Sequence, residues 1–481
     1  MKKSITIFGL LVLLLTSCSR DYLDTDLQST INDEQLATSP AALQGLVDGV
    51  YTSLHSYGMT SAAGHEDFGH KAIISGLDMM SNDMLQTKHH WFGFYYNYQG
   101  RVQTSSRPLM IWKTYYQQIK AVNNVISAIE KGGVDNNNKS MYGQALALRG
   151  YMYFMLARIF GPTYVSNESK DCVPMYLATT IEGKPRAKVG EVYTQIVNDL
   201  TKAILNLDGF TRVNKEKVDK NVAEAFLAQV YLEMGNYTQA ASIAHLARQG
   251  YAQPSEAQWK DGFYDLNSNP DVMWGGILTA ETTSFVASYF AHFDNTDVNG
   301  YAGGLAVYKS IDRRLYDAIP NSDYRKSVFQ ASNNAAPYNL PKYANTKFRD
   351  LSVGNGGDYV YLRASELFYI EAEALAKSGN ESQAKSVLNE ITLLRNPAYS
   401  NNLSGQLLID EIILQKRIEM WGEGCAWFDM KRLGVSLVRN YTGTNHVISA
   451  AKLDIPAGDN RFLFQIPQAE ILANPNIVQN P

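Results

Sequence analysis

The sequence is poor in the residues that staple a chain or do chemistry. Its 481 residues include three cysteines. The first, Cys18, closes an apolar leader, so only Cys172 and Cys425 remain in the body of the chain. They supply neither a disulfide framework nor a CxxC pair for metal or redox chemistry, and each reads as a small buried hydrophobe. There is no Gly-rich phosphate loop, GxSxG elbow, HExxH helix or Cys with a matching His and Asn motif, so the familiar signatures of nucleotide, hydrolase and metalloprotease sites are missing. A net charge of -4 gives no sign of nucleic acid or anionic lipid as a partner. Beyond residue 15 no uncharged apolar run is long enough to cross a bilayer.

What is present begins at the first residues. Lys2 and Lys3 precede an apolar stretch from Ile5 to Leu15, followed by Leu15-Thr16-Ser17-Cys18. The stretch is too short to span a membrane, so residues 1–17 read as a signal peptide. Leucine, two small residues and cysteine form a lipobox, which makes Cys18 the lipidated first residue of the mature chain. Several acyl chains hold a protein durably to lipid where one does not. Residues 18–40 are polar and acidic and read as a flexible leader. The rest, 41–481, is expected to form a single domain with halves at about 41–250 and 251–481, and a hydrophobic fraction of 45% supports a sizeable core.

An internal repeat is the most informative pattern in this domain. Gly235-Asn236-Tyr237-Thr238-Gln239-Ala240 recurs as Gly379-Asn380-Glu381-Ser382-Gln383-Ala384. The flanks repeat as well: Ala228 and Tyr231 match Ala372 and Leu375, and Ala244 and Ala247 match Leu388 and Ile391. These are tetratricopeptide positions, where small residues let two helices approach and glycine starts the turn. The spacing predicts helical pairs at 221–235 with 237–250 and at 360–378 with 381–394. A third pair joins Met141–Phe160 to Glu191–Leu207 across an insertion at 162–190, and a fourth is expected at 40–57 and 107–130. The fold class is therefore mainly α, a superhelical scaffold of tetratricopeptide-like pairs with long irregular insertions. The intervals 58–106 and 251–357 are rich in Gly, Asn, Ser and aromatics without a sustained helical period. Irregular segments on a rigid scaffold usually carry function.

The chain has 30 tyrosines, and its densest aromatic run is Trp91-Phe92-Gly93-Phe94-Tyr95-Tyr96-Asn97-Tyr98. Aromatic faces beside amides and carboxylates suit sugar rings, whose C–H face packs on the ring while the hydroxyls meet polar groups. Trp91, Tyr95, Tyr96 and Asn97 are thus expected to form a stacking platform, with Asp83 and Arg101 as hydroxyl partners. A second surface is expected from Phe285, Tyr289, Phe290, Phe293 and Tyr301 around the loop 294–300. Asn295, Asp297, Asn299 and Gly300 half match a calcium loop, but Ala306 stands where its closing Glu belongs, so a structural calcium is a minor reading and no other cofactor is expected. His65, His70, His89 and His90 match no ligand spacing, and adjacent histidines point differently, so they read as satisfied or exposed side chains.

With these features in view, the chain resembles the SusD/RagB family of nutrient-binding outer-membrane lipoproteins over nearly its whole length. The resemblance is carried by Trp112-Lys113-Thr114-Tyr115-Tyr116 with Asn123-Asn124, by Ala147–Phe154, and by Ala364-Ser365-Glu366 leading into Glu371-Ala372-Glu373-Ala374. It is also carried by Lys416-Arg417-Ile418-Glu419 with Glu423-Gly424 and Trp427–Gly434, and by Phe464–Ile471 with Asn474-Pro475-Asn476. It implies a protein on the outer face of the outer membrane that captures a glycan, or in some branches a peptide. It would pass its ligand to a TonB-dependent, SusC-like transporter as the transporter's lid, held to lipid through Cys18. It also implies that Glu419 and Asp429 serve buried pairs and not catalysis. Two other readings stand beside this one: a glycoside hydrolase lipoprotein, since two well-placed carboxylates would suffice, and a tetratricopeptide scaffold that binds only protein or peptide.

Overall fold

The computed structural model describes residues 39–352, 356–446 and 453–481. Cys18, the signal peptide and residues 18–38 of the leader lie outside the described residues.

The four helical pairs form. Pro40–Ser53 packs on Ser106–Gly132, Lys139–Phe160 on Val189–Asn206, Lys220–Glu233 on Tyr237–Ala247, and Ala364–Lys377 on Glu381–Arg395. Local chemistry sets their ends. Asp219 caps one helix by accepting from Val222 N at 3.0 Å, and Ser39 caps another just before Pro40, which needs no amide partner in the first turn. The repeated Gly-Asn builds the same turn twice. Gly235 and Gly379 take φ of +73° and +85°. The following Asn236 and Asn380 then donate backwards to Tyr231 O at 2.9 Å and Leu375 O at 2.8 Å, closing the helix end as only a left-handed residue allows. Ala228, Ala244, Ala247, Ala372, Leu388 and Ile391 are all buried between the paired helices.

These repeats are far apart in sequence and adjacent in space. Tyr237–Ala247 lies directly against Ala364–Lys377, where Arg248 Nε donates to Glu371 Oε2 at 2.6 Å. Residues 251–357 leave the scaffold and return to it. One hydrophobic cluster, from Leu43 to Ile477, runs through both halves of the chain.

The interval 58–106 differs from its irregular reading. It contains a helix, His70–Asp78, in which every residue is buried. A helix covered on all sides has no polar face, so it shows no amphipathic period. Gly76 allows its closest contact, since a Cβ there would stand 2.7 Å from the Tyr95 ring. Two-stranded antiparallel ladders then tie the insertions down. Met84–Gln86 pairs with Lys309–Ile311, and Val272–Gly276 with Tyr359–Arg363. The first ladder joins the two insertions to each other.

The charged residues of the C-terminal motif are packed inside. Glu419 receives Arg325 at 3.2 Å, Arg363 at 3.1 Å, Arg395 at 3.0 Å and Trp259 Nε1 at 2.8 Å, with none of the four ionic side chains exposed. Burial opposes its ionisation, but the three guanidiniums overcome this and hold the carboxyl well below the usual range. Glu423 meets Arg363 at 2.7 Å and Lys347 at 2.6 Å. Asp429 bridges Lys416 and Arg432, each at 2.8 Å. Glu419 and Asp429 therefore serve as internal ties, as the resemblance implied. Cys172 is buried as expected, whereas Cys425 is only half covered.

Candidate functional site

Because Met84–Gln86 and Lys309–Ile311 share a ladder, the loops flanking them converge, and one ring from each aromatic surface read from the sequence, Trp91 and Tyr301, comes to the same cluster. Thr87 N donates to Tyr308 O at 3.1 Å and Lys88 Nζ to Leu305 O at 2.9 Å. His65 stands at the centre, its ring 5.5 Å from Trp91 at an interplanar angle of 32°, 5.9 Å from Tyr301 and 6.2 Å from Tyr57. Its Nδ1 is hydrogen-bonded to the Tyr301 hydroxyl. His90 approaches Tyr301 from the side at 4.6 Å, and buried His292 stacks beneath it at 4.8 Å and 27°. Tyr57 is 43% exposed, while His65, His90, Trp91 and Tyr301 are half buried.

Each ring is positioned by something local. Gly64 has φ of +59°, and its missing side chain lets the Trp91 indole lie on the backbone, where a Cβ would be 3.3 Å from Cη2. Trp91 O accepts from Arg107 Nη2 at 3.3 Å. That guanidinium sits 4.1 Å above the Phe94 ring and is paired with buried Glu66. Burial pushes the Glu66 carboxyl up to about 8, against the pull of Arg107. On the other side His292 Nε2 bonds His65 O at 3.0 Å, and Lys309 Nζ donates to His292 O at 2.7 Å. Burial pulls the Lys309 ammonium down to about 7 and, together with Lys309 and the neighbouring histidines, lowers His90. Among the described residues two buried atoms of the cluster, Trp91 Nε1 and His90 Nδ1, have no hydrogen-bond partner.

Comparison with known proteins agrees with this architecture at both ends of the chain. Residues 21–232 match a family model described as "Starch-binding associating with outer membrane", and residues 286–481 match the model of the SusD family. The chain belongs to the SusD/RagB family. Among its relatives, SusD-like protein P2 of Formosa agariphila is 26% identical over 428 residues, 77% of this chain and 79% of that one. A SusD-like carbohydrate binding protein from Bacteroides vulgatus superposes with a TM-score of 0.80 at 27% identity, covering 91% of this chain and 97% of that one. Surface glycan-binding protein A from Bacteroides thetaiotaomicron, solved in complex with laminarihexaose, shares the fold with a TM-score of 0.71 at 16% identity, covering 92% and 99%.

In this SusD/RagB chain the residues singled out from sequence divide by burial. Trp91 and Tyr301 flank His65 at the surface. Tyr95 and Tyr96 do not form a platform with Trp91, since both are buried, with Tyr95 against Gly76 and Tyr96 bonded to His446 Nδ1 at 2.5 Å beneath Arg439. Tyr289 and Phe293 are likewise core residues, stacked on each other at 4.8 Å. Asp83 is buried and receives Arg417 Nη2 at 2.5 Å, which leaves it no role toward ligand hydroxyls. Arg101 is half buried and turned toward Leu463 O, and Asn97 folds back on Gln99 at 3.0 Å. The half calcium loop loses a ligand, because both ends of the Asn295 amide are spent on the backbone of Lys309 and Asn345. Among the described residues no three His, Cys, Asp or Glu side chains gather as a metal site. His70 is a core residue between the hydroxyls of Tyr115 and Tyr151, while His89 is exposed and packs on Phe94 at 4.8 Å. Tyr57 and Gly64 were not singled out. Tyr57 follows a helix end and carries no local signal of its place beside His65.

Proposed function

We propose that this chain is a non-enzymatic glycan-binding lipoprotein of the cell surface, delivering oligosaccharide to a TonB-dependent, SusC-like transporter over which it closes as a lid. The observation that carries the reading is the surface made by Tyr57, His65, Trp91 and Tyr301. It combines half-exposed aromatic faces with imidazole and phenol groups, the combination that a pyranose with an apolar C–H face and equatorial hydroxyls requires. The rings are held by Gly64, Arg107 and His292 before ligand arrives, so little ordering cost falls on binding. An unsatisfied buried polar group costs about 1–3 kcal/mol. Trp91 Nε1 and His90 Nδ1 carry that cost inside the cluster, so it is the open ring faces around them that offer the binding surface.

The family description, the carbohydrate-binding relative from Bacteroides vulgatus and the glycan complex of the relative from Bacteroides thetaiotaomicron all favour this ligand class. Outer-membrane attachment rests on the family and on the lipobox at Cys18. Among the described residues no helix is long and apolar enough to cross a membrane.

The test is affinity electrophoresis and calorimetry of the full chain against a panel of glycans. Binding to at least one glycan, weakened by at least about 10-fold in Trp91→Ala with Tyr301→Ala, supports the reading. Binding to peptides alone changes the ligand class, and product release from a polysaccharide, abolished by one carboxylate substitution, replaces it with hydrolysis. Loss of surface display and uptake in Cys18→Ala is expected from the anchored lid, and intact display and uptake would contradict it.

A further inference from the structure

The helix Ser106–Gly132 carries a second aromatic feature outside this surface. Trp112 and Tyr116, one turn apart, hold their rings 4.6 Å from each other, and Tyr176 from the 162–190 insertion stands 6.0 Å from Tyr116 at 80°. Together they line a cleft of about 310 Å³. The rings are fixed in place. Trp112 is wedged edge-on against Phe160 at 5.0 Å, Tyr116 donates to Pro174 O at 2.7 Å, and the Tyr176 hydroxyl accepts from Lys184 N at 3.1 Å. Asn123 is engaged at both ends of its amide, donating to Tyr176 O at 2.9 Å and accepting from Arg149 at 3.0 Å, so it positions the wall. The rim is polar, with exposed Gln117 and Lys120 on one side and Glu470 on the other.

From these features we propose that the cleft is a second carbohydrate subsite, taking one or two neutral pyranose rings, and this rests on the glycan reading above. Preformed aromatic walls suit the C–H face of the sugar. The rim carries the ammoniums of Lys113 and Lys120, the carboxylate of Glu470 and the amide of Gln117, which supply donors and acceptors for hydroxyls, and Lys113 is already engaged at Thr60 O. The volume is at the lower end for ligand pockets, which excludes a long oligosaccharide enclosed in full. The cleft is also tied to the segment that carries the first surface. Lys113 lines it and donates to Thr60 O at 3.3 Å, and Thr60 belongs to the 57–66 segment that carries Tyr57 and His65. A chain long enough to reach both would bind through two linked contacts, and linkage multiplies affinity by raising effective concentration.

The experiment is calorimetry of the full chain with neutral hexasaccharides of glucose, mannose and xylose and with the matching polysaccharides. In Trp91→Ala/Tyr301→Ala, residual binding to the recognised sugar should survive, and adding Tyr176→Ala/Lys120→Ala should remove it. In the otherwise unaltered chain, Tyr176→Ala/Lys120→Ala should cut polysaccharide affinity by about 10-fold or more and hexasaccharide affinity by less. Tyr176→Phe keeps the ring and should retain binding, which separates loss of a subsite from loss of fold. Polysaccharide affinity unchanged by the cleft substitutions overturns the subsite and leaves the first surface standing. No binding of any probe by the unaltered chain overturns the glycan reading and the subsite with it.

Discussion

The Glu419 centre and the Trp91 surface are both crowded with rings and polar groups, and they differ in what is left unpaired. Around Glu419 three guanidiniums and an indole complete the carboxylate, and no ionic partner is exposed. Around Trp91 the rings keep open faces, and Trp91 Nε1 and His90 Nδ1 have no partner among the described residues. A buried network whose bonds are complete rigidifies and specifies a core. A fixed cluster with open ring faces at the surface is ready to take a ligand. Residue type does not separate the two regions, since Tyr369, buried beside Arg325, and half-buried Tyr301 are the same residue with opposite fates.

The comparison breaks hardest at its buried end. Glu419→Gln leaves three arginines around an uncharged group, and removing one member of a buried ionic set costs about 3–5 kcal/mol. Chemical denaturation should show that loss, with no specific change at the ligand surface in protein that remains folded. Gly76→Ala, which drives a Cβ toward the Tyr95 ring, should cost about 1–3 kcal/mol by overpacking, read as a lower thermal midpoint.

The pH dependence sharpens the contrast within the core. Glu419 and Glu423, held low by their arginines once burial is overcome, lend stability above the ordinary Glu range of about 4.3 that is lost as pH falls through their folded values. Asp78 goes the other way. Burial raises it to about 7, so its contribution is complete below about pH 4 and is lost as pH rises through 7. Denaturation at pH 5 and pH 8 should therefore show the unaltered chain losing stability relative to Asp78→Asn as pH rises. The smallest effect is expected at Gly64→Ala, where a Cβ 3.3 Å from the indole and a positive φ should tilt Trp91 and weaken glycan binding by a few-fold.

The scaffold was legible because its signals are local. Gly235 and Gly379 make the same turn from the same dipeptide, and alanines at helical spacing mark the packed faces. The site was legible only in its neighbourhood. Which rings in the run from Trp91 to Tyr98 stay exposed depends on contacts with residues 200 or more positions away, such as His292 and His446. No spacing rule carries that information. The helix His70–Asp78 was hidden for a related reason, as burial on every side removes the alternation that reveals a helix.

The most direct test of the account is the affinity of the full chain for its best glycan, measured by calorimetry in Trp91→Ala/Tyr301→Ala and, separately, in Tyr96→Phe. The account predicts that the first falls by at least about 10-fold, equivalent to about 1.4 kcal/mol, with little change in thermal midpoint, while the second binds like the unaltered chain. Equal affinity in Trp91→Ala/Tyr301→Ala, or loss confined to Tyr96→Phe, would contradict it.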